Sequence, residues 1–270
     1  LLQCGEAVVD ATIDRQCGSS QQAVHFAAQA VMSGTQDVVV AGGVQTMTQI
    51  PISSAMIAAE PLGFSDPFSG SEGWVRRYGA QPPTQFRSAQ MIAEKWGLSR
   101  EQLEAYSLES HQRALRAIEQ GRFNREIVPL AGVLHDETPR QTSLAKMAEL
   151  EVLFGCDRVT AAVSSQTCDA ASAMLIVSET ALKRYGLTPR ARIHHLSVRA
   201  EDPIWMLTAP IPATAYALKR AGMKLEDIDR VEINEAFASV AMAWLKETGY
   251  PHEQTNVNGG AIALGHPLGA

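Results

Sequence analysis

From Ser19 onward the apolar residues Ala23, Phe26, Ala27, Ala30 and Val31 share one face of a helical period, and the pattern predicts a helix over residues 19–33. Ser19 or Ser20 can cap its start, and Gly34 is a natural stop. Residues 8–13 read as a short strand before this helix. The run Asp37-Val38-Val39-Val40-Ala41 reads as a buried strand after it, closed by a tight turn at Gly42-Gly43. Strand, helix and buried strand in succession suggest a parallel sheet covered by helices.

Pro51, Pro61, Gly63, Pro67, Gly70 and Gly73 then break any long periodicity, which marks residues 48–80 as an irregular excursion from the sheet. Helices return at 84–96, ended by Gly97. Ser99-Arg100-Glu101-Gln102 is a capping box that opens a long helix reaching Gly121. A loop follows over 129–141 and a short helix over 142–150. Residues 48–155 thus read as a mostly helical insertion, with the sheet resuming near Val159. Beyond it the pattern predicts a buried strand at 173–177, a helix at 178–185 stopped by Gly186, and a strand at 192–198. A helix at 212–221 ended by Gly222, a strand at 228–233 and a helix at 236–248 ended by Gly249 complete the series. The order of elements repeats that of the opening, without a repeat of its sequence.

Composition narrows the class. The chain has 270 residues, 46% of them hydrophobic, enough for one large or two ordinary domains. With 29 acidic against 23 basic residues the net charge is −6, which argues against a nucleic-acid or anionic-membrane partner. No apolar run is long enough to span a bilayer. Cys4, Cys17, Cys156 and Cys168 are widely spaced with no C-x-x-C pair, the usage expected of thiols in a reducing, cytoplasmic compartment. The chain begins at Leu1 and stops at Ala270, directly after a glycine-rich motif, so it reads as an excerpt from a longer protein.

Cys17 is the first candidate for chemistry. It stands at the mouth of the predicted helix, where unpaired N–H groups and the positive end of the helix dipole favour an anion. A thiolate stabilised this way is a usable nucleophile near neutral pH, although a free cysteine can equally be a small buried hydrophobe. Asn234-Glu235-Ala236-Phe237-Ala238 lies where a predicted strand hands over to a helix, the place where α/β sheets gather their active sites; an asparagine there can also be only a cap. In the run from Asn256 to Gly269, four glycines flank His266, and such a loop lets the backbone approach a substrate closely. Pro267 keeps His266 out of helical geometry, and a fixed imidazole is the base that a cysteine nucleophile needs.

Together these segments resemble the thiolase family, the degradative and biosynthetic 3-ketoacyl-CoA thiolases. The resemblance rests on Asp14-Arg15-Gln16-Cys17-Gly18-Ser19-Ser20-Gln21-Gln22-Ala23, on Ala41-Gly42-Gly43-Val44-Gln45-Thr46-Met47, on residues 234–238 and on residues 256–269. Residues 189–195 and 203–208 look most like actinobacterial thiolases of steroid and related lipid breakdown. The resemblance implies an α/β thiolase fold: two βαβαβ-type halves with mixed sheets in a layered αβαβα arrangement, plus a helical loop-domain insertion. The implied domains are an N-terminal one at 1–47 and 160–188, the insertion at 48–159 and a C-terminal one at 189–270. Cys17 then matches the nucleophile that takes the acyl group, His266 the histidine that activates it and helps bind the thioester oxygen, and Asn234 the residue holding a water in that oxyanion hole. Ser165 matches a serine that hydrogen-bonds the pantetheine arm of coenzyme A. Ala236, Phe237 and Met206 match positions lining the same tunnel. Coenzyme A is implied as a co-substrate with no permanently bound cofactor or metal, and the assembly as a homodimer or homotetramer.

Some features depart from the family pattern. The second cysteine, in a C-x-G-G-G segment that serves as acid and base on the enolate, has no match in these residues. That leaves room for a different role, a non-catalytic thiolase-fold protein that carries acyl-CoA or steroid for a partner. Residues 160–165 read Thr-Ala-Ala-Val-Ser-Ser where many thiolases have T-A-G-N-x-S. Residues 84–88 lack the histidine and methionine of short-chain biosynthetic thiolases, which points to a bulkier acyl chain. His25 and His111 lie within predicted helices, where packing or solvated roles are expected. Trp96, Met223 and Trp244 are expected to fill cores or a dimer contact.

Overall fold

The computed structural model describes residues 10–64, 66, 68 and 70–270. In chain order the regular elements are α1 (Ser19–Met32), β1 (Val38–Thr46), α2 (Ser54–Ala59), α3 (Glu72–Tyr78), α4 (Gln85–Lys95), α5 (Arg100–Glu119) and α6 (Leu144–Ala148). They continue with β2 (Asp169–Val177), α7 (Glu179–Arg184), α8 (Pro210–Ala221), α9 (Ala238–Thr248) and α10 (Ala261–Leu264). They fall into two units. The first holds the described residues up to 49 together with 169–193 and 267–270, and the second holds those of 50–168 and 194–266.

The helices follow the sequence closely because their signals are local. Ser99 Oγ accepts the Gln102 N–H while Gln102 Oε1 accepts the Ser99 N–H, so the capping box at the start of α5 is complete. α9 stops at Gly249, whose φ of 68° is a conformation that a residue with a Cβ adopts only at a cost. The excursion over 48–80 is less irregular than its prolines suggest, for α2 and α3 form within it.

The strands depart from the expectation. In the first unit β1 and β2 pair antiparallel, with Val38 opposite Val177 and Thr46 opposite Asp169, and not in a parallel arrangement. Neither strand is buried throughout. α1 packs on the pair, and in β1 burial alternates: Ala41 is covered while Val38, Val40 and Val44 are exposed. Gly42-Gly43 does not turn the chain, because β1 runs straight through it. A Cβ on Gly42 would lie 2.6 Å from the Ser172 carbonyl oxygen, and one on Gly43 would strike the Gly269 carbonyl. These glycines serve close approach across the ladder and to the 267–270 segment. Of the strand expected at 8–13, residues 8 and 9 lie outside the described residues and 10–13 are irregular.

In the second unit α4, α5, α9 and α10 enclose a core in which Ile92, Leu98, Leu103, Val159, Val163 and Ile262 are fully buried. Small residues at the α4–α9 contact let the two helices approach, and Ser239 Oγ donates to the Ala89 carbonyl at 2.9 Å. No strand forms at 192–198. At 228–233 only a one-residue parallel bridge appears, Val231 with Thr255, closed by the Asn256 N–H on the Val231 carbonyl at 2.9 Å. A strand needs a continuous partner, and these segments find at most one paired position. No helix among the described residues is long and apolar enough to cross a membrane.

Candidate active site

In the first unit, residues Gln16–Gly18 form one 3-10 turn that runs directly into α1. The cap position belongs to Gly18, not to either serine as the sequence suggested. Ser19 already lies inside the helix; its hydroxyl donates to the Gln16 carbonyl at 2.7 Å and accepts the Arg15 N–H at 2.8 Å. The Arg15 guanidinium, bonded to Gln22 Oε1, lies over Gly18 so closely that a Cβ there would meet its Nη2 at 2.6 Å. Half-buried Cys17 therefore lies in the turn that leads into the first N–H groups of a helix, a position that favours an anion. Burial, and next the Arg15 charge, hold His25 on the same helix below the usual histidine range. Gln16, immediately before the cysteine, has φ 48°, a left-handed conformation uncommon for a residue with a side chain. The sequence carried no signal for that.

In the second unit Asn234 Nδ2 lies 3.4 Å from His266 Nε2, so two of the three residues expected to act are side-chain neighbours. Asn234 is no helix cap: α9 begins four residues later, with Phe237 at its cap position. The His266 main-chain N–H donates to the Gln166 carbonyl at 2.8 Å, and burial holds the imidazole below its usual range, favouring the neutral base. Ser165 lies beside the Asn234 segment, its N–H on the Ala236 carbonyl at 3.0 Å. Ala236 and Phe237 are buried; the Phe237 ring meets Phe86 edge-on, with centroids 5.5 Å apart, and so belongs to the core. Met206 sits on a separate 3-10 turn, its N–H on the Asp202 carbonyl at 2.8 Å, with no direct bond to the other candidates.

Two glycines of the 256–266 segment are committed to the protein and not to an open face. A Cβ on Gly259 would lie 2.7 Å from the Ser110 carbonyl oxygen, and one on Gly260 would lie 2.6 Å from Glu235 Oε2. Glu235 was unassigned from the sequence. The available signal was a lone charged residue in the hand-over from Ile233 to Ala238, where Asn234 is the only other polar side chain.

His111 has a packing role. His111 is buried on α5, accepts the Arg140 N–H at 3.4 Å, and is pushed down to about 4, first by burial and then by the Arg140 charge. In the unfolded chain it titrates near 6.5. The unfolded state therefore takes up this proton first as pH falls, and stability present in full above about 6.5 is lost on the way to about 4. The contribution is up to about 3 kcal/mol. Urea melts at pH 7 and 4.5 should show His111→Gln with a shallower pH dependence than the parent; equal slopes would contradict this account.

Residues 2–180 match the family model described as thiolase, N-terminal domain, and residues 187–270 that described as thiolase, C-terminal domain. The steroid 3-ketoacyl-CoA thiolase FadA6 of Mycobacterium tuberculosis is 59% identical over 269 residues, covering 98% of this chain and 66% of its own. The 3-ketoacyl-CoA thiolase of Marinobacter nauticus is 40% identical, covering 96% of this chain and 67% of its own. Among solved structures, human mitochondrial 3-ketoacyl-CoA thiolase in complex with CoA superposes with a TM-score of 0.83 at 37% identity, covering 96% of this chain and 67% of that one. The shared architecture is the α/β thiolase fold. This chain belongs to the thiolase family. It spans about two thirds of the length of the curated relatives it matches.

Proposed function

We propose that the protein of which these residues are part cleaves a 3-ketoacyl-CoA with coenzyme A, giving acetyl-CoA and a shortened acyl-CoA. The observation that carries this reading is the Asn234–His266 pair in a chain that belongs to the thiolase family. Cys17 is the nucleophile. His266 takes its proton, the thiolate attacks the 3-keto carbon, and the bond between Cα and Cβ breaks. The electron pair goes to the acetyl-CoA enolate, which leaves once protonated. A second coenzyme A thiolate attacks the acyl-Cys17 thioester, regenerates the cysteine thiolate and releases the shortened product, a ping-pong sequence. In reverse, the same steps make a Claisen condensation.

Asn234 and His266 hold the oxyanion, directly or through a water, as donors aimed at charge that develops only in the transition state. Ser165 binds the pantetheine arm, Met206 lines its approach, and buried Ala236 and Phe237 form the wall behind it. The likeness to a steroid thiolase, together with Gln85, Phe86 and Arg87 on the insertion, supports a bulky acyl chain. The domain limits of 1–47 with 160–188, 48–159 and 189–270, a homo-oligomeric assembly and a cytoplasmic location belong to the same reading.

Incubation of the intact protein with a 3-ketoacyl-CoA and coenzyme A should release acetyl-CoA; its absence would overturn the assignment. Because burial depresses the His266 pKa, the neutral base persists as pH falls below the usual histidine value. The acid limb of kcat/KM is therefore expected to have its midpoint below about 6.5, and a midpoint above that value would exclude His266 as the buried base.

A further inference from the structure

Glu235 is 1% exposed, and a buried carboxylate without partners would be very costly. Each of its oxygens is saturated. Oε1 accepts the Tyr106 hydroxyl at 2.9 Å and Asn256 Nδ2 at 3.0 Å; Oε2 accepts the Ser110 hydroxyl at 2.8 Å and the Ile262 N–H at 3.1 Å. The donor directions are fixed by the neighbours. Ser110 Oγ accepts the Gly260 N–H at 3.1 Å, so its own proton points to Glu235. Asn256 Oδ1 accepts the Ile233 N–H and its Nδ2 donates to the Ile233 carbonyl, both at 2.8 Å, which fixes the orientation of the amide. The carboxylate thus joins α5, the Ile233–Glu235 segment and the first turn of α10.

These attachments end at the two candidate side chains. Asn234 is the residue before Glu235. α10, held at Ile262, leads through Gly265 to His266, with the Leu264 N–H on the Gly260 carbonyl at 2.8 Å and the Gly265 N–H on the Ala261 carbonyl at 3.1 Å. Gly260 carries no Cβ because one would occupy the space of the Glu235 carboxylate. We propose that Glu235 is a positioning residue, whose buried carboxylate sets the separation of Asn234 from His266. It touches neither substrate nor reacting atoms, and its catalytic consequence rests on the thiolase reading above.

Glutamine has the same shape but the wrong polarity, since its NH2 would face two of the four donors. In the intact protein, Glu235→Gln is expected to lower kcat by about 30-fold or more while KM for both substrates stays within about threefold, as loss of alignment at constant binding requires. In a double-mutant cycle, Asn234→Ala should lose most of its effect in the Glu235→Gln background, because both changes disable the same group. A crystal structure of Glu235→Gln should show the Asn234–His266 contact, 3.4 Å here, opened beyond hydrogen-bonding distance. Additive effects, or an unchanged contact, would overturn the proposal. If Glu235→Gln does not fold, Tyr106→Phe removes one donor without adding a group, and the same readouts should move in the same direction by less. If the parent protein shows no thiolysis, the functional reading fails, while the Asn234–His266 separation in the variant still decides the role of Glu235.

Discussion

Cys17→Ser in the intact protein is expected to lower CoA-dependent thiolysis by about 1,000-fold or more, equivalent to about 4 kcal/mol in the barrier. The size of the loss comes from the nucleophile itself. The thiolate is the nucleophilic form and a helix N-terminus favours it, whereas an alcohol in the same place does not ionise near neutral pH. The Arg15 guanidinium over Gly18 and the first turn of α1 would remain in the variant, because the Gln22 side chain and main-chain atoms hold them. The fold should therefore survive, and the loss should fall on kcat. Iodoacetamide should label Cys17 before the other thiols in the parent and leave that position unlabelled in the variant. Steady-state rates and peptide mapping check both; thiolysis retained in the variant would remove Cys17 from the mechanism.

Trp244→Ala should be the most destabilising of the simple truncations in the second unit, by about 4 kcal/mol. Trp244 on α9 is 2% exposed, its ring meets Tyr250 edge-on with centroids 5.8 Å apart, and its Nε1 donates to Thr214 Oγ1 on α8 at 2.8 Å. Truncation empties that volume and strands little polar surface, since Thr214 Oγ1 still donates to the Pro210 carbonyl. The cost is thus mainly lost burial and an unfilled cavity. Denaturant unfolding of parent and variant measures it, and a difference below about 1 kcal/mol would mean that the site collapses to fill the space. This tryptophan fills a core, one of the two roles expected for it.

The helices were legible because each is decided within a few residues. Capping by Ser99 with Gln102, a stop at Gly249 and apolar spacing in 85–95 all act through contacts one turn apart. The strands were misread for the complementary reason. Val38-Val39-Val40 announces extended chain but not which chain it pairs with, in which direction, or how many of its faces are covered. Gly42-Gly43 looked like a turn because the Ser172 and Gly269 carbonyls that exclude a side chain there come from distant parts of the chain. Ser19 looked like a cap because the 3-10 turn before it could not be foreseen from the same letters.

The candidate chemistry divides along the same line. By itself the sequence determined the family, the helical framework and the identity of the candidate groups, Cys17, Asn234 and His266, because motifs and helix signals are properties of adjacent residues. Tertiary structure alone decided that Asn234 and His266 lie side by side, that Phe237 is core, and that Glu235 is a saturated buried carboxylate. Those facts depend on α5, the 233–238 segment and the 256–266 segment meeting across long stretches of chain. A buried carboxylate and a solvated one are the same letter until its donors, brought together by folding, are counted.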